Sequence, residues 1–156
     1  MNATFTVRRA DWERDQQSLR RIRTAVFVDE QNVPPALEWD GVDDHCLHVL
    51  AEDDRGAPIG TGRLLPDGHI GRMAVLAAWR GHGVGGAILR ELLRCAAGRG
   101  LSEVVLNAQT HAMGFYACHG FSAEGAAFFD AGIEHKRMRR ALAQANVQAT
   151  GAEGES

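Results

Sequence analysis

Basic charge is in short supply in this chain. Lysine and arginine number 17 against 20 aspartates and glutamates, a formal net charge of −3, which argues against a nucleic-acid partner because such partners call for a basic excess or stripe. Cysteine is scarce as well. Cys46, Cys95 and Cys118 are odd in number and form no C-x-x-C pair, a usage that suits reduced thiols in a reducing compartment. No apolar run follows Arg8, Arg9 and Asp11, so neither a signal peptide nor a membrane span is expected, and the protein reads as cytoplasmic. Histidine is present, but its spacing supports no metal: His45 and His48 would face opposite sides of a strand, and His82 and His119 are isolated in sequence. A Gly-Lys-Ser or Gly-Lys-Thr triplet is missing too, which excludes the P-loop.

What is there is glycine at one informative place. Arg80-Gly81-His82-Gly83-Val84-Gly85-Gly86 lies between a strand-like run, His69 to Val75, and a helix-like run, Val84 to Ala97. Glycines let the backbone turn tightly and approach a ligand, and the free N–H groups of a helix N-terminus attract phosphate. A phosphate-bearing ligand is therefore expected. The dinucleotide fingerprint G-x-G-x-x-G is met by Gly81, Gly83 and Gly86, but the strand that should end in an acid ends in Asn107-Ala108-Gln109.

Arg80, Gly83 and Gly85, preceded by Met73-Ala74-Val75, form the pattern Arg or Gln, two residues, Gly, one residue, Gly. This resembles motif A of the GNAT superfamily of N-acetyltransferases. The run from Asn107 to Phe121, with Tyr116 followed by Gly120-Phe121, resembles the superfamily's second signature. Arg23 to Gln31 and Asp130 to Met138 resemble its ElaA-like branch, with Glu134 where that branch usually has proline. The resemblance covers nearly the whole chain. It implies an α/β fold, a mixed, mostly antiparallel central sheet flanked by helices, and acetyl-coenzyme A as co-substrate.

The periodicity agrees with that order of elements. Phe5 and Val7 open a strand, and Asp11 caps a helix that buries Leu19, Ile22, Val26 and Phe27 and ends before Pro34-Pro35. Cys46 to Glu52, Pro58 to Leu65 and His69 to Val75 read as three antiparallel strands. Val84, Ile88, Leu92 and Ala96 share one face of the next helix. Val104-Val105-Leu106 reads as a central strand, a short helix spans His111 to about His119, and a hairpin turns at Asp130-Ala131-Gly132. One domain is expected over residues 1–140, with a disordered tail, rich in Ala, Gln, Gly and Glu, over 141–156.

Acyl transfer to an amine sets four tasks. Backbone amides from Gly81 to Gly86, through His82, Gly83, Val84 and Gly85, would hold the pyrophosphate, with Arg80 as a cation. The segment Met73-Ala74-Val75 would pair with pantetheine like an added strand and lend an N–H to the oxyanion. Asn107 would either bond pantetheine or simply end its strand. Tyr116, the one tyrosine, matches the family position beside the departing thiolate. The glutamate that many members use as base is replaced by Gly71, so Glu30 is the expected base and His111 the second choice; Glu30 would otherwise pair with a partner such as Arg23. The acidic loop Glu38, Asp40, Asp43 and Asp44 would either draw in a cationic amine or be solvated, and Cys118 is a packing residue or, less in keeping with its context, a nucleophile. The partners implied are acetyl-coenzyme A and a small amine, and the sequence does not choose between monomer and homodimer. The competing readings are an acetyl-coenzyme A sensor or scaffold without turnover, an acyl-homoserine-lactone synthase and a Rossmann-like oxidoreductase.

Overall fold

Strand β1 (Phe5–Ala10) mixes half-buried and exposed side chains, as an outer strand does, and Asp11 ends it by capping the first helix. The Asp11 carboxylate accepts from Arg14 N at 2.9 Å, satisfying a donor that the first turn leaves free. In the computed structural model, which describes residues 4–143, the chain divides into two units, the first up to Leu92 and the second from Leu93.

In the first unit α1 (Trp12–Arg23) buries Leu19 and Ile22 with Val26, Leu50 and Ala74. The helix continues to Glu30 as expected, but its last seven residues, Thr24–Glu30, are wound as a π-helix, and Gln31 N donates to Val26 O at 3.0 Å. A short α2 (Pro35–Glu38) follows, started by Pro35 at a position where no N–H is needed. Strands β2 (Leu47–Asp53), β3 (Pro58–Leu64) and β4 (Ile70–Val75) complete an antiparallel sheet of order β1-β2-β3-β4. Gly60 and Gly62 on β3 admit the close approach of α3 (Val84–Gly98). A Cβ at Gly60 would lie 2.8 Å from Ile88 Cδ1, and one at Gly62 would lie 2.9 Å from Leu92 Cδ1. Sequence periodicity finds the helix, but these two glycines set its distance from the sheet.

The second unit holds the end of α3, β5 (Glu103–Gln109), α4 (Met113–Cys118), β6 (Ser122–Asp130) and β7 (Ile133–Ala141). Its sheet is antiparallel with order β5-β7-β6. The antiparallel, helix-flanked α/β architecture is thus carried by two sheets. β5 is not the central strand its composition suggested: β7 takes that place, and β5 is outermost. Successive residues of a strand face opposite sides, so the burial of Val104, Val105 and Leu106 reports that both faces are covered, which a run of apolar residues cannot distinguish from a central position. The hairpin turns through Ala131 and Gly132, both at positive φ (52° and 77°), as a two-residue primed turn requires. Ala141 still belongs to β7, so the expected tail does not begin there, and residues 144–156 lie outside the described residues. Among the described residues no helix is long and apolar enough to cross a membrane.

Candidate active site

The glycine loop is where the sequence placed it. After β4 the chain makes a short turn of 3-10 helix, Ala77–Trp79, and an extended Arg80, then Gly81 (φ 81°) and Gly83 (φ 84°) lead into α3. A Cβ at either glycine would meet nothing within 4 Å, so the requirement is the left-handed backbone rather than space. Ala87 N bonds Gly83 O at 3.1 Å as the first turn closes, which leaves the N–H groups of Val84, Gly85 and Gly86 without acceptors inside the helix. His82 Nδ1 donates to Arg80 O at 3.1 Å, and its ring leans on Trp79 with centroids 5.6 Å apart.

Of Met73, Ala74 and Val75, only Ala74 is fully buried, while the flanking side chains are half-buried. Leu76 N bonds Ile59 O at 2.9 Å, and Gly60 lies opposite Val75. In an antiparallel ladder bonded and non-bonded pairs alternate, so Val75 turns its N–H and C=O away from β3. The outward N–H is the group with which an extended amide ligand would pair, while the carbonyl accepts from Arg80 Nε at 3.0 Å. A bulge precedes it: the register slips between Thr61 and Arg63, and Arg72 adopts φ 50°.

Arg80 and Glu30 meet in a way the sequence did not show. Glu30, at the end of the π-helix, takes a bidentate pair from Arg80, Nη1 to Oε2 at 2.6 Å and Nη2 to Oε1 at 2.7 Å. Arg80 Nε donates to Val75 O at 3.0 Å. The Arg80 hydrogen bonds hold the Glu30 carboxyl below the usual carboxylate range, against a smaller opposing effect of desolvation. A carboxylate so engaged is a weaker base, and Glu30 could accept the amine's proton only on leaving Arg80. Its partner is also Arg80 rather than Arg23.

Arg23 belongs instead to a buried ionic cluster. Its Nε donates to Glu38 Oε2 at 2.8 Å and its Nη1 to Asp43 Oδ1 at 2.7 Å. Arg63 reaches Asp43 Oδ1 at 2.8 Å and Asp40 Oδ2 at 2.6 Å. Arg72, at the bulge, donates to Glu38 O at 3.0 Å, and its Nε lies 3.0 Å from Glu38 Oε2 without the alignment of a hydrogen bond. Burial acts most strongly on Asp40 and would raise its pKa, but bonds from Arg63 and the charges of Arg63 and Arg72 together hold it at about 2. Asp43 is likewise lowered against the effect of its own burial, by Arg23 and Arg63. Burial lowers the pKa of His48, which bonds Asp43 O at 2.8 Å and stacks on Trp12. Three arginines thus face three carboxylates, so the charge of Glu38, Asp40 and Asp43 is met within the protein; Glu38 and Asp43 are buried, while Asp40 and Asp44 stay exposed. One sequence signal was available. Arg23 follows Leu19 by four residues on the apolar face of α1, where a cation demands a buried acid.

In the second unit Tyr116 is half-buried on α4, edge-on to Phe115 (5.0 Å) and Phe121 (5.9 Å). Desolvation pushes its phenol up to about 12. His111 Nε2 pairs with Gln109 Oε1 at 2.7 Å. An amide oxygen only accepts, so Nε2 is the donor of this pair, and in a neutral ring Nδ1 would carry the lone pair. Asn107 is exposed on β5 opposite Arg137, and Cys118 is exposed at the end of α4. His45 lies in a turn of 3-10 helix (Asp43–His45) and not on a strand with His48.

A glycine turn at positive φ opening a helix, following an outer strand with an outward-turned amide, is an arrangement able to receive a phosphate and an extended amide chain. The comparisons agree: the acetyltransferase (GNAT) domain family matches residues 13–142, and the chain belongs to that family. It is 41% identical over 123 residues to YjcF, an uncharacterised N-acetyltransferase of Bacillus subtilis strain 168, covering 76% of this chain and 87% of that one. The crystal structure of an acyl-CoA N-acyltransferase from Pseudomonas aeruginosa superposes with a TM-score of 0.77 at 30% identity, over 88% of this chain and 99% of the other. Escherichia coli ElaA superposes equally well, TM-score 0.77 at 28% identity over 86% and 99%. The protein is an acyltransferase of this family.

Proposed function

We propose that the protein transfers acetyl from acetyl-coenzyme A to a primary amine by direct attack through a tetrahedral intermediate. The observation that carries this reading is the sequence of outward Val75 amide, left-handed Gly81 and Gly83, and free N–H groups at Val84 to Gly86. The loop amides, His82 and Gly83 included, hold the pyrophosphate, and the Val75 N–H serves pantetheine or the oxyanion. Arg80 acts less as a phosphate ligand than as a clamp. With Glu30 behind it, its Nε closes the Val75 carbonyl and fixes the start of the loop. Tyr116 donates a hydrogen bond to the departing thiolate. His111 Nδ1 takes the place expected for Glu30 and accepts the amine's proton, directly or through water. Asn107 contacts the pantetheine arm or the substrate beside it.

The test is coenzyme A release from acetyl-coenzyme A across amino acids, polyamines, aminoglycosides and peptide amines, with no-amine controls. Amine-dependent release is the expected result. Tight binding of acetyl-coenzyme A with no amine raising release would overturn the catalytic reading in favour of a sensor.

A further inference from the structure

The sheet of the second unit carries an open depression of about 440 Å³, lined by Asn107, Glu124, Gly125, Ala126, Phe128 and Arg137. Its origin is a bulge in β6. Glu124 pairs with Arg137 and Phe128 with His135, so β6 spends four residues where β7 spends two, and Gly125 takes φ 75° to permit it. Bulges re-aim side chains and recur beside active sites.

The register also sets Asn107, Arg137 and Glu124 in one row across the three strands. Glu124 Oε2 accepts from Arg137 Nε at 3.1 Å, and the same carboxylate accepts two bonds from Arg139. Glu124 thus accepts three bonds from two arginines and acts as a brace. The terminal Nη groups of Arg137 have no partner among the described residues. Beside this planar fork, which matches a carboxylate, Phe128 stacks on His135 at 5.9 Å and leaves 37% of its surface exposed. A cation fork, an amide and an aromatic wall on one concave surface recognise an anion attached to an apolar group.

We propose that this depression binds an amine bearing a carboxylate beside an apolar or aromatic side chain, an amino acid of the phenylalanine type, which the transferase reading would make the acceptor. Arg137 binds the carboxylate, Phe128 the side chain, and the Asn107 amide oxygen orients the amine. Only the role of the ligand as acceptor rests on the acetyltransferase reading; the binding chemistry does not.

L-Phenylalanine and 2-phenylethylamine share ring and amine and differ by the carboxylate, so the pair isolates the contribution of Arg137. In saturation-transfer NMR and calorimetry without acetyl-coenzyme A, L-phenylalanine and N-acetyl-L-phenylalanine should bind at least tenfold more tightly than their decarboxylated counterparts. Arg137→Gln should abolish that preference, Arg137→Lys should keep part of it, and Phe128→Ala should weaken both members of each pair. Where turnover is seen, Arg137→Gln should raise KM for L-phenylalanine by tenfold or more and leave KM for acetyl-coenzyme A within twofold. Equal binding of the two amines, no binding of either acid, or an unchanged preference in Arg137→Gln overturns the subsite. Failure of acetyl-coenzyme A to bind would overturn the transferase reading and leave the NMR comparison intact.

Discussion

Tyr116→Phe removes one hydroxyl and keeps the ring that packs on Phe115 and Phe121. With the phenol pushed up to about 12 by burial, full proton transfer to a thiolate whose acid has a pKa of about 8.5 is uphill by roughly 5 kcal/mol. The tyrosine therefore stays protonated and donates a hydrogen bond. Such a bond to a charged acceptor contributes about 1.5–3 kcal/mol, and a tenfold rate change corresponds to about 1.4 kcal/mol. The variant should lose roughly 10- to 150-fold in kcat, with KM for acetyl-coenzyme A and thermal stability nearly unchanged. Because the hydroxyl keeps its proton through the working range, the wild-type rate should show no decline below about pH 10 that the variant lacks. Steady-state kinetics of both proteins from pH 6 to 10 reads this directly. A basic limb present only in the wild type, or a loss of less than threefold in kcat, would refute the hydrogen-bond role.

Three further outcomes follow from named contacts. Glu30→Ala and Arg80→Ala should each weaken acetyl-coenzyme A binding, and the double variant should be no worse than Arg80→Ala alone; a calorimetric cycle giving a coupling well under about 0.5 kcal/mol would count against the clamp. Asp43→Asn leaves Arg23 and Arg63 facing one carboxylate fewer in a buried site, and should cost about 3–5 kcal/mol by urea unfolding. Gly60→Ala places a Cβ 2.8 Å from Ile88 Cδ1 and should destabilise by about 1–3 kcal/mol through overpacking, whereas Gly71→Ala, with nothing within 4 Å, should be close to neutral in the same assay.

Local rules made much of this molecule readable in advance. The Asp11 cap, the apolar stripe of α1, the hairpin turn at Ala131-Gly132 and the left-handed Gly81 and Gly83 depend on neighbours within a few residues, and each was visible in the order of side chains. The family followed from the same short-range patterns, chiefly glycines at positions that need a left-handed backbone. Pairings across long stretches of chain were a different matter. Glu30 and Arg80 are 50 residues apart, and Arg63 reaches Asp40 across 23. The energy of an ion pair depends on distance and desolvation, neither of which a string of residues contains. For the same reason the acid judged most fit to be a base is tied to a cation, and an acidic loop is an internal counterweight to three arginines. Sequence order established the family and with it the class of reaction; register, bulge and burial decided which side chains are paired and which stand exposed.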